Sequence, residues 1–273
     1  MINFKIYKNG QQIEFVKNNL KFNDKNFQTL FIFHGLFGRG KNWQTFSKNL
    51  SKEKKQIVVT VDLRNHGGND FEDDMSYISM MNDVVNLFKY LGVKSTNLLG
   101  HSMGGKLAMV ITLLEPKFVN KVIIVDISPI EYDNDDNLII NSLIGIDLDL
   151  IKNRGEADDV LSKYIDQKFL RSFLLQNIEL VDQKYKWSIN LKAIKSSLNY
   201  LRKFPTIKNI NRFDGEVLCI YGGKSNYVIK EHFNIFKKFF SNILFHEIKD
   251  ADHFLHIENP IEFYEASNKF LNN

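Results

Sequence analysis

Six short apolar runs constrain this chain more than any other feature. Each ends at a residue with an unusual backbone or a reactive side chain. Thr29-Leu30-Phe31-Ile32-Phe33 runs into His34-Gly35. Residues 57–61 end at Asp62, residues 97–99 at Gly100 and residues 121–125 at Asp126. Residues 217–221 end at Gly222-Gly223, and residues 243–248 stop shortly before Asp252-His253. Runs of this length, rich in β-branched residues, suit strands buried on both faces. Helical patterns lie between them. Tyr77, Met80, Met81, Val84, Val85, Phe88 and Leu91 recur at spacings of three and four, which puts them on one helix face. Ser76 is placed to cap that helix and Gly92 to end it. Further helices are expected over residues 43–50, 103–114, 232–240 and 257–271. Ahead of the first buried run, residues 3–8 and 12–17 flank Asn9-Gly10, a two-residue hairpin signal. Buried strands alternating with helices call for an α/β fold, with a mostly parallel sheet covered by helices on both faces.

One interval breaks the alternation. Residues 131–205 hold no convincing strand, open on the acidic stretch Glu131-Tyr132-Asp133-Asn134-Asp135-Asp136, and continue in helical patterns such as 160–175 and 191–204. Some seventy-five residues is far too long for an ordinary loop. The expectation is a core of residues 1–130 and 206–273, with a helical cap of residues 131–205 inserted between two core strands. A hydrophobic fraction of 44% and a charged fraction of 25% fit a globular chain of 273 residues. The net charge of +4 is small and dispersed, which argues against a nucleic-acid partner. A single cysteine, Cys219, excludes an intrachain disulfide. The longest apolar stretches are about eight residues where a spanning helix needs about twenty, so no membrane span and a cytoplasmic location are expected.

Chemistry enters with Gly100-His101-Ser102-Met103-Gly104, a G-x-S-x-G pattern. Alone the pattern is weak. Here it follows an expected strand and precedes an expected helix, the context a nucleophilic serine elbow requires. Side chains at the glycine positions would collide with the neighbouring strand or helix, and the helix N-terminus aims its N–H groups at the reacting oxygen. A serine hydroxyl needs a base. Of seven histidines, His253 is the best candidate, because it follows the last strand and lies far downstream of Ser102. His34, His66 and His101 read as loop supports, and His256 as structural or exposed. An oxyanion hole needs two N–H donors. Met103 supplies one, and Leu36, in the loop after the first buried run, is the natural second.

Taken in order, His34-Gly35-Leu36-Phe37-Gly38, Asp62-Leu63-Arg64-Asn65-His66-Gly67, the serine elbow and the His253 loop resemble the α/β-hydrolase superfamily along nearly the whole chain. Val125-Asp126-Ile127-Ser128-Pro129 and Gly222-Gly223-Lys224-Ser225-Asn226-Tyr227-Val228 narrow the resemblance to the small YbfF-type serine esterases. The acid departs from the commoner superfamily pattern. No carboxylate stands between Gly222 and Ile229, where one is usual, and Ser225 occupies its place. Asp126 ends the preceding core strand. If the two strands are neighbours, it reaches His253 from the side, an assignment the resemblance also implies, with Ser225 as a supporting fourth member. Asp214 lies at the wrong end of its strand, Asp252 is expected to point away, and Asp62 to tie loops together beneath the site. No His or Cys cluster has metal-ligand spacing, and no glycine pattern fits a nucleotide cofactor, so neither is expected.

The resulting expectation is an esterase that forms an acyl-enzyme on Ser102, with a small-molecule ester or thioester as its partner. The alternative is a carbon–carbon bond hydrolase or lyase-like enzyme using the same triad, since fold and triad do not fix the reaction. Phe169, Leu170, Phe173, Leu174 and Trp187 of the cap are candidates for the wall of an acyl pocket. The sequence specifies no oligomeric state.

Overall fold

The computed structural model describes residues 1–273 except 17–19, 21, 23–26, 54–55, 134–135 and 208–210. The strands are β1 (Phe4–Lys8), β2 (Gln11–Ile13), β3 (Gln28–Phe33), β4 (Gln56–Val61), β5 (Thr96–His101), β6 (Val119–Val125), β7 (Ile178–Val181), β8 (Lys184–Trp187), β9 (Phe213–Gly222) and β10 (Phe240–Ile248). The α-helices are α1 (Gln44–Leu50), α2 (Tyr77–Leu91), α3 (Met103–Leu114), α4 (Asp136–Ile144), α5 (Arg154–Leu161), α6 (Lys168–Leu175), α7 (Leu191–Leu201), α8 (Phe233–Phe236), α9 (Leu255–Glu258) and α10 (Pro260–Asn272).

Eight strands make one sheet in the order β10-β9-β6-β5-β3-β4-β1-β2. The six from β10 to β4 are parallel, and the β1–β2 hairpin closes one edge antiparallel. Asn9 and Gly10 both take positive φ, 54° and 76°, which supplies the tight turn between Lys8 and Gln11. Alternation along β3 shows why its run is uniformly apolar. Phe31 and Phe33 pack on the α2–α3 side of the sheet, while Leu30 and Ile32 pack on the α1–α10 side with Trp43, Leu50 and Phe263. Both faces are therefore core. In α2, Ser76 accepts a hydrogen bond from the Ser79 N–H, and Gly92, at φ 71°, ends the helix.

Several boundaries differ from the sequence reading. The second strand is shorter, ending at Ile13, and Lys17 lies outside the described residues. Residues 232–240 are not one helix. Only Phe233–Phe236 is α-helical, and Phe240 instead joins β10 opposite Phe213. The last helix breaks at Asn259, whose side-chain oxygen accepts from the Glu262 N–H and caps α10, with Pro260 in the first turn. Between β6 and β9 helices α4 to α7 make up most of the regular structure, but the interval also contains the antiparallel β7–β8 hairpin. The sequence carries no glycine signal for that hairpin, because its turn, Asp182-Gln183, adopts positive φ at both residues without one. The 160–175 stretch is likewise two helices, α5 and α6, rather than one.

Candidate active site

All the expected site residues lie at the carboxyl ends of the parallel strands, where ligand sites of open α/β sheets form. β5 ends at His101 and α3 starts at Met103, so Ser102 must turn the chain within one residue. Its φ of 52° and ψ of −118° are strained for a side chain. The turn is possible because the flanking backbones touch. A Cβ on Gly100 would lie 2.1 Å from the Gly104 carbonyl oxygen, and one on Gly104 would lie 2.3 Å from that of Phe33. The Ser102 N–H is held by the Val125 carbonyl at 3.0 Å.

Asp126 follows β6 with φ 47° and is fully buried. Val125 pairs with Ile220, so β6 and β9 are neighbours as expected. The Asp126 carboxylate accepts three hydrogen bonds. Oδ1 takes the Gly222 N–H at 3.1 Å, and Oδ2 takes the Ser225 hydroxyl at 2.5 Å and His253 Nδ1 at 2.8 Å. With Nδ1 donating to the carboxylate, His253 Nε2 is left as the basic nitrogen. The ring is held by its surroundings as well. Tyr227 stacks on it at 4.0 Å, and His101 Nε2 donates to the His253 carbonyl at 2.9 Å. Asp252 turns back and accepts from the His253 N–H, while Asp214 sits at the far end of β9 accepting from Ser241.

The other histidines brace loops. Leu63 N–H donates to His34 Nε2 at 2.9 Å, and His34 Nδ1 donates to the Gly35 carbonyl. Phe37 N–H donates to His66 Nε2 at 3.2 Å, and His66 Nδ1 donates to the Arg64 carbonyl. Both rings use one nitrogen as acceptor and so are neutral in this arrangement. Burial holds His34 down to about 4 and His66 to about 3. His256 is held to about 3 by burial and by nearby His253, and it stacks on Trp43 at 4.2 Å. Burial also keeps the His101 imidazole well below its ordinary range. The two braces on the 34–38 loop position Leu36. Asp62 binds the Gly40 N–H at 2.6 Å, tying that loop to the end of β4.

Ser102 and His253 share one cavity of about 240 Å³ with Leu36 and Met103, the expected oxyanion pair. Of the five cap residues named from sequence, Leu170 and Phe173 line it. Phe169 instead meets Phe254 edge-on, Leu174 is fully buried, and Trp187 packs against the core from β8. Sequence reasoning gave no role to Tyr227, Lys106 or Arg202, all of which line the cavity. The signal for Lys106 was its place as the single charged residue of an apolar helix, four residues after Ser102.

The architecture agrees with known proteins. A model of the alpha/beta hydrolase fold matches residues 28–145. The sn-1-specific diacylglycerol lipase ABHD11 of Mus musculus is 30% identical over 93% of this chain and 84% of its own length. This chain belongs to the α/β-hydrolase family. Esterase YbfF of Escherichia coli is 26% identical to this hydrolase, over 92% of this chain and 95% of its own. A solved marine microorganism esterase superposes with a TM-score of 0.88 at 32% identity, covering 98% of both chains. Among the described residues of this hydrolase, no His/Cys/Asp/Glu cluster fits a metal ion, and no helix is long and apolar enough to cross a membrane.

Proposed function

We propose that this hydrolase cleaves carboxylic esters of small acyl groups through an acyl-enzyme on Ser102. The observation that carries the reading is the Asp126–His253 hydrogen bond, set in one cavity with a strained serine at a helix N-terminus. In this scheme His253 Nε2 takes the Ser102 proton as Oγ attacks the acyl carbon, and Asp126 orients and stabilises the imidazolium. The N–H groups of Leu36 and Met103 hold the oxyanion. His253 then returns the proton to the leaving alkoxide, and water releases the acid by the same route. Relatives named as esterase and lipase along nearly the whole chain support ester hydrolysis.

Residues 131–205 act in this reading as a cap over the strand ends. Leu170, Phe173 and Leu201 supply apolar wall, and a cavity of about 240 Å³ favours short acyl groups over long ones. The cap is tied down at several points. Arg39 pairs with Glu179 at 2.8 Å, Asn177 Nδ2 donates to the Phe37 carbonyl, and the Tyr77 hydroxyl donates to the Leu201 carbonyl. The test is hydrolysis of a chain-length series of simple esters, together with labelling by a fluorophosphonate. Labelling of the native chain but not of Ser102→Ala, with turnover greatest for short esters, is the expected result. Labelling at another residue, or none at all, overturns it.

A further inference from the structure

Besides the Ser102–His253 pair, the cavity lining carries two cations and one carboxylate, Asp136. There α3 carries Lys106 one turn beyond Ser102, and Arg202 follows α7. Lys106 is 1% exposed, unusual for an ammonium group. Two of its three N–H groups meet the carbonyls of Leu201 and Arg202, and the Tyr132 ring lies 4.8 Å away. Among the described residues, no carboxylate forms an ion pair with Lys106 or with Arg202. Nε and Nη2 of the half-buried Arg202 have no acceptor among the described residues. Burial draws the Lys106 ammonium down to about 7, opposed by the charge of Glu131. Two cations therefore share one cavity lining with a single carboxylate, and two Arg202 donors have no partner among the described residues. Burying such charge is costly unless an anion completes it.

We propose that the Lys106–Arg202 end of the cavity is an anion subsite, and that the substrate is a short ester carrying a second group that is a carboxylate or a phosphate. This rests on the esterase reading and names its substrate class. Carbonyl capping of α7 accounts for part of Lys106. It does not account for Arg202, nor for the placing of both cations in the cavity that holds Ser102. The apolar wall between them and Ser102 takes the aliphatic spacer.

The test uses the full chain and matched pairs of esters. Ethyl hemiesters of succinate, glutarate and adipate are compared with ethyl butanoate, pentanoate and hexanoate, which places the charge on the acyl side. 1-Butanoylglycerol 3-phosphate is compared with 1-butanoylglycerol, which places it on the alcohol side. A charge-assisted contact predicts kcat/KM higher by about ten- to a hundredfold for the anionic member of at least one pair. Which arm responds identifies the source of the charge. In Lys106→Met and in Arg202→Gln, that anionic-to-neutral ratio falls by about tenfold or more, whatever happens to the absolute rates. A residue that only holds the cap would lower both members together. Should Lys106→Met fail to fold, Arg202→Gln carries the test. Hydrolysis of neutral esters with no anionic preference, or a preference that survives the substitutions, overturns the subsite and leaves the esterase reading standing. No turnover of any ester removes the esterase reading, and the subsite with it.

Discussion

The cavity has two walls of different construction. The strand-end wall is built by backbone. Ser102 and Asp126 sit at positive φ, Gly100 and Gly104 admit no side chain, and main-chain groups of Gly222 and Val125 bind the acid and the serine turn. The cap wall is built by side chains projecting from helices, with Leu170 and Phe173 of α6 and Arg202 after α7. Close backbone contact leaves few residue choices, so the first wall is tightly specified. Side-chain walls tolerate volume-conserving change, so the second wall is free to alter what the enzyme accepts. Substitutions in the two walls should therefore fail differently, the first in kcat on every substrate and the second in the ranking of substrates.

The largest effect should come from Ser102→Ala. Loss of the nucleophile typically costs about a millionfold in kcat, with the fold intact. Circular dichroism and ester turnover on one preparation check this. Near-normal turnover would remove the strand-end wall from the chemistry altogether. Next is Asp126→Asn, which keeps the shape but reverses one hydrogen bond to His253 and favours the wrong tautomer. A loss of about ten-thousandfold in kcat is expected. A folded variant with full activity would mean the acid lies elsewhere.

These two predictions concern residues that were readable from sequence, and the reason is physical. The serine turn, Asp126 and His253 follow strands whose apolar runs and closing residues stand out in a linear chain. The 131–205 interval was legible only in outline. Its β7–β8 hairpin turns on Asp182-Gln183 without glycine, and its helices α5 and α6 divide where composition gives no sign. Lys106 was visible as a charge in an apolar helix. Its setting depends on Arg202, ninety-six residues away, whose carbonyl accepts from its ammonium and whose side chain lines the same cavity. Pairing at that distance is a tertiary fact that no local pattern encodes.

The strand-end wall also carries a stability signature. His34 and His66 are buried and neutral and His256 is half-buried, with folded values near 4, 3 and 3 against an ordinary value of 6.5. Between those limits the unfolded chain binds protons that the folded chain refuses, so stability is full above about pH 6.5 and falls as pH drops towards 4. The slope is about 1.4 kcal/mol per pH unit for each such group. The urea midpoint should be clearly lower at pH 5 than at pH 7.5. Equal midpoints would mean that these rings are not held neutral.

On the cap side, Phe173→Ala removes a large ring from the wall that faces the serine. It should leave the elbow and the Asp126–His253 bond in place, so ester hydrolysis persists while the optimum acyl length moves towards longer chains. The shift should be about tenfold in relative kcat/KM, the value of one to two methylene-sized contacts. The chain-length series measures it. A uniform loss at every length would place Phe173 with the structural cap residues rather than in the acyl wall.

The smallest effect tests the strand-end wall at its most unusual position. Ser225 stands where a carboxylate is common, and its hydroxyl donates to Asp126 Oδ2, the same oxygen that holds His253. Its oxygen also accepts from the Tyr227 N–H at 3.2 Å, so it helps to place the ring stacked on His253. Ser225→Ala removes one of three donors from the carboxylate and leaves Gly222 and His253 in place. A neutral hydrogen bond contributes about 0.5–1.5 kcal/mol, so kcat should fall by roughly tenfold or less. Asp126→Asn must be far worse than Ser225→Ala for the assignment of roles to hold. If the two losses are comparable, Ser225 does more than steady the acid, and the pair acts as one unit through their shared hydrogen bond. The double variant separates the cases. Additive losses mean that Ser225 acts independently of Asp126, whereas a double variant no worse than Asp126→Asn alone means that its whole contribution passes through the carboxylate.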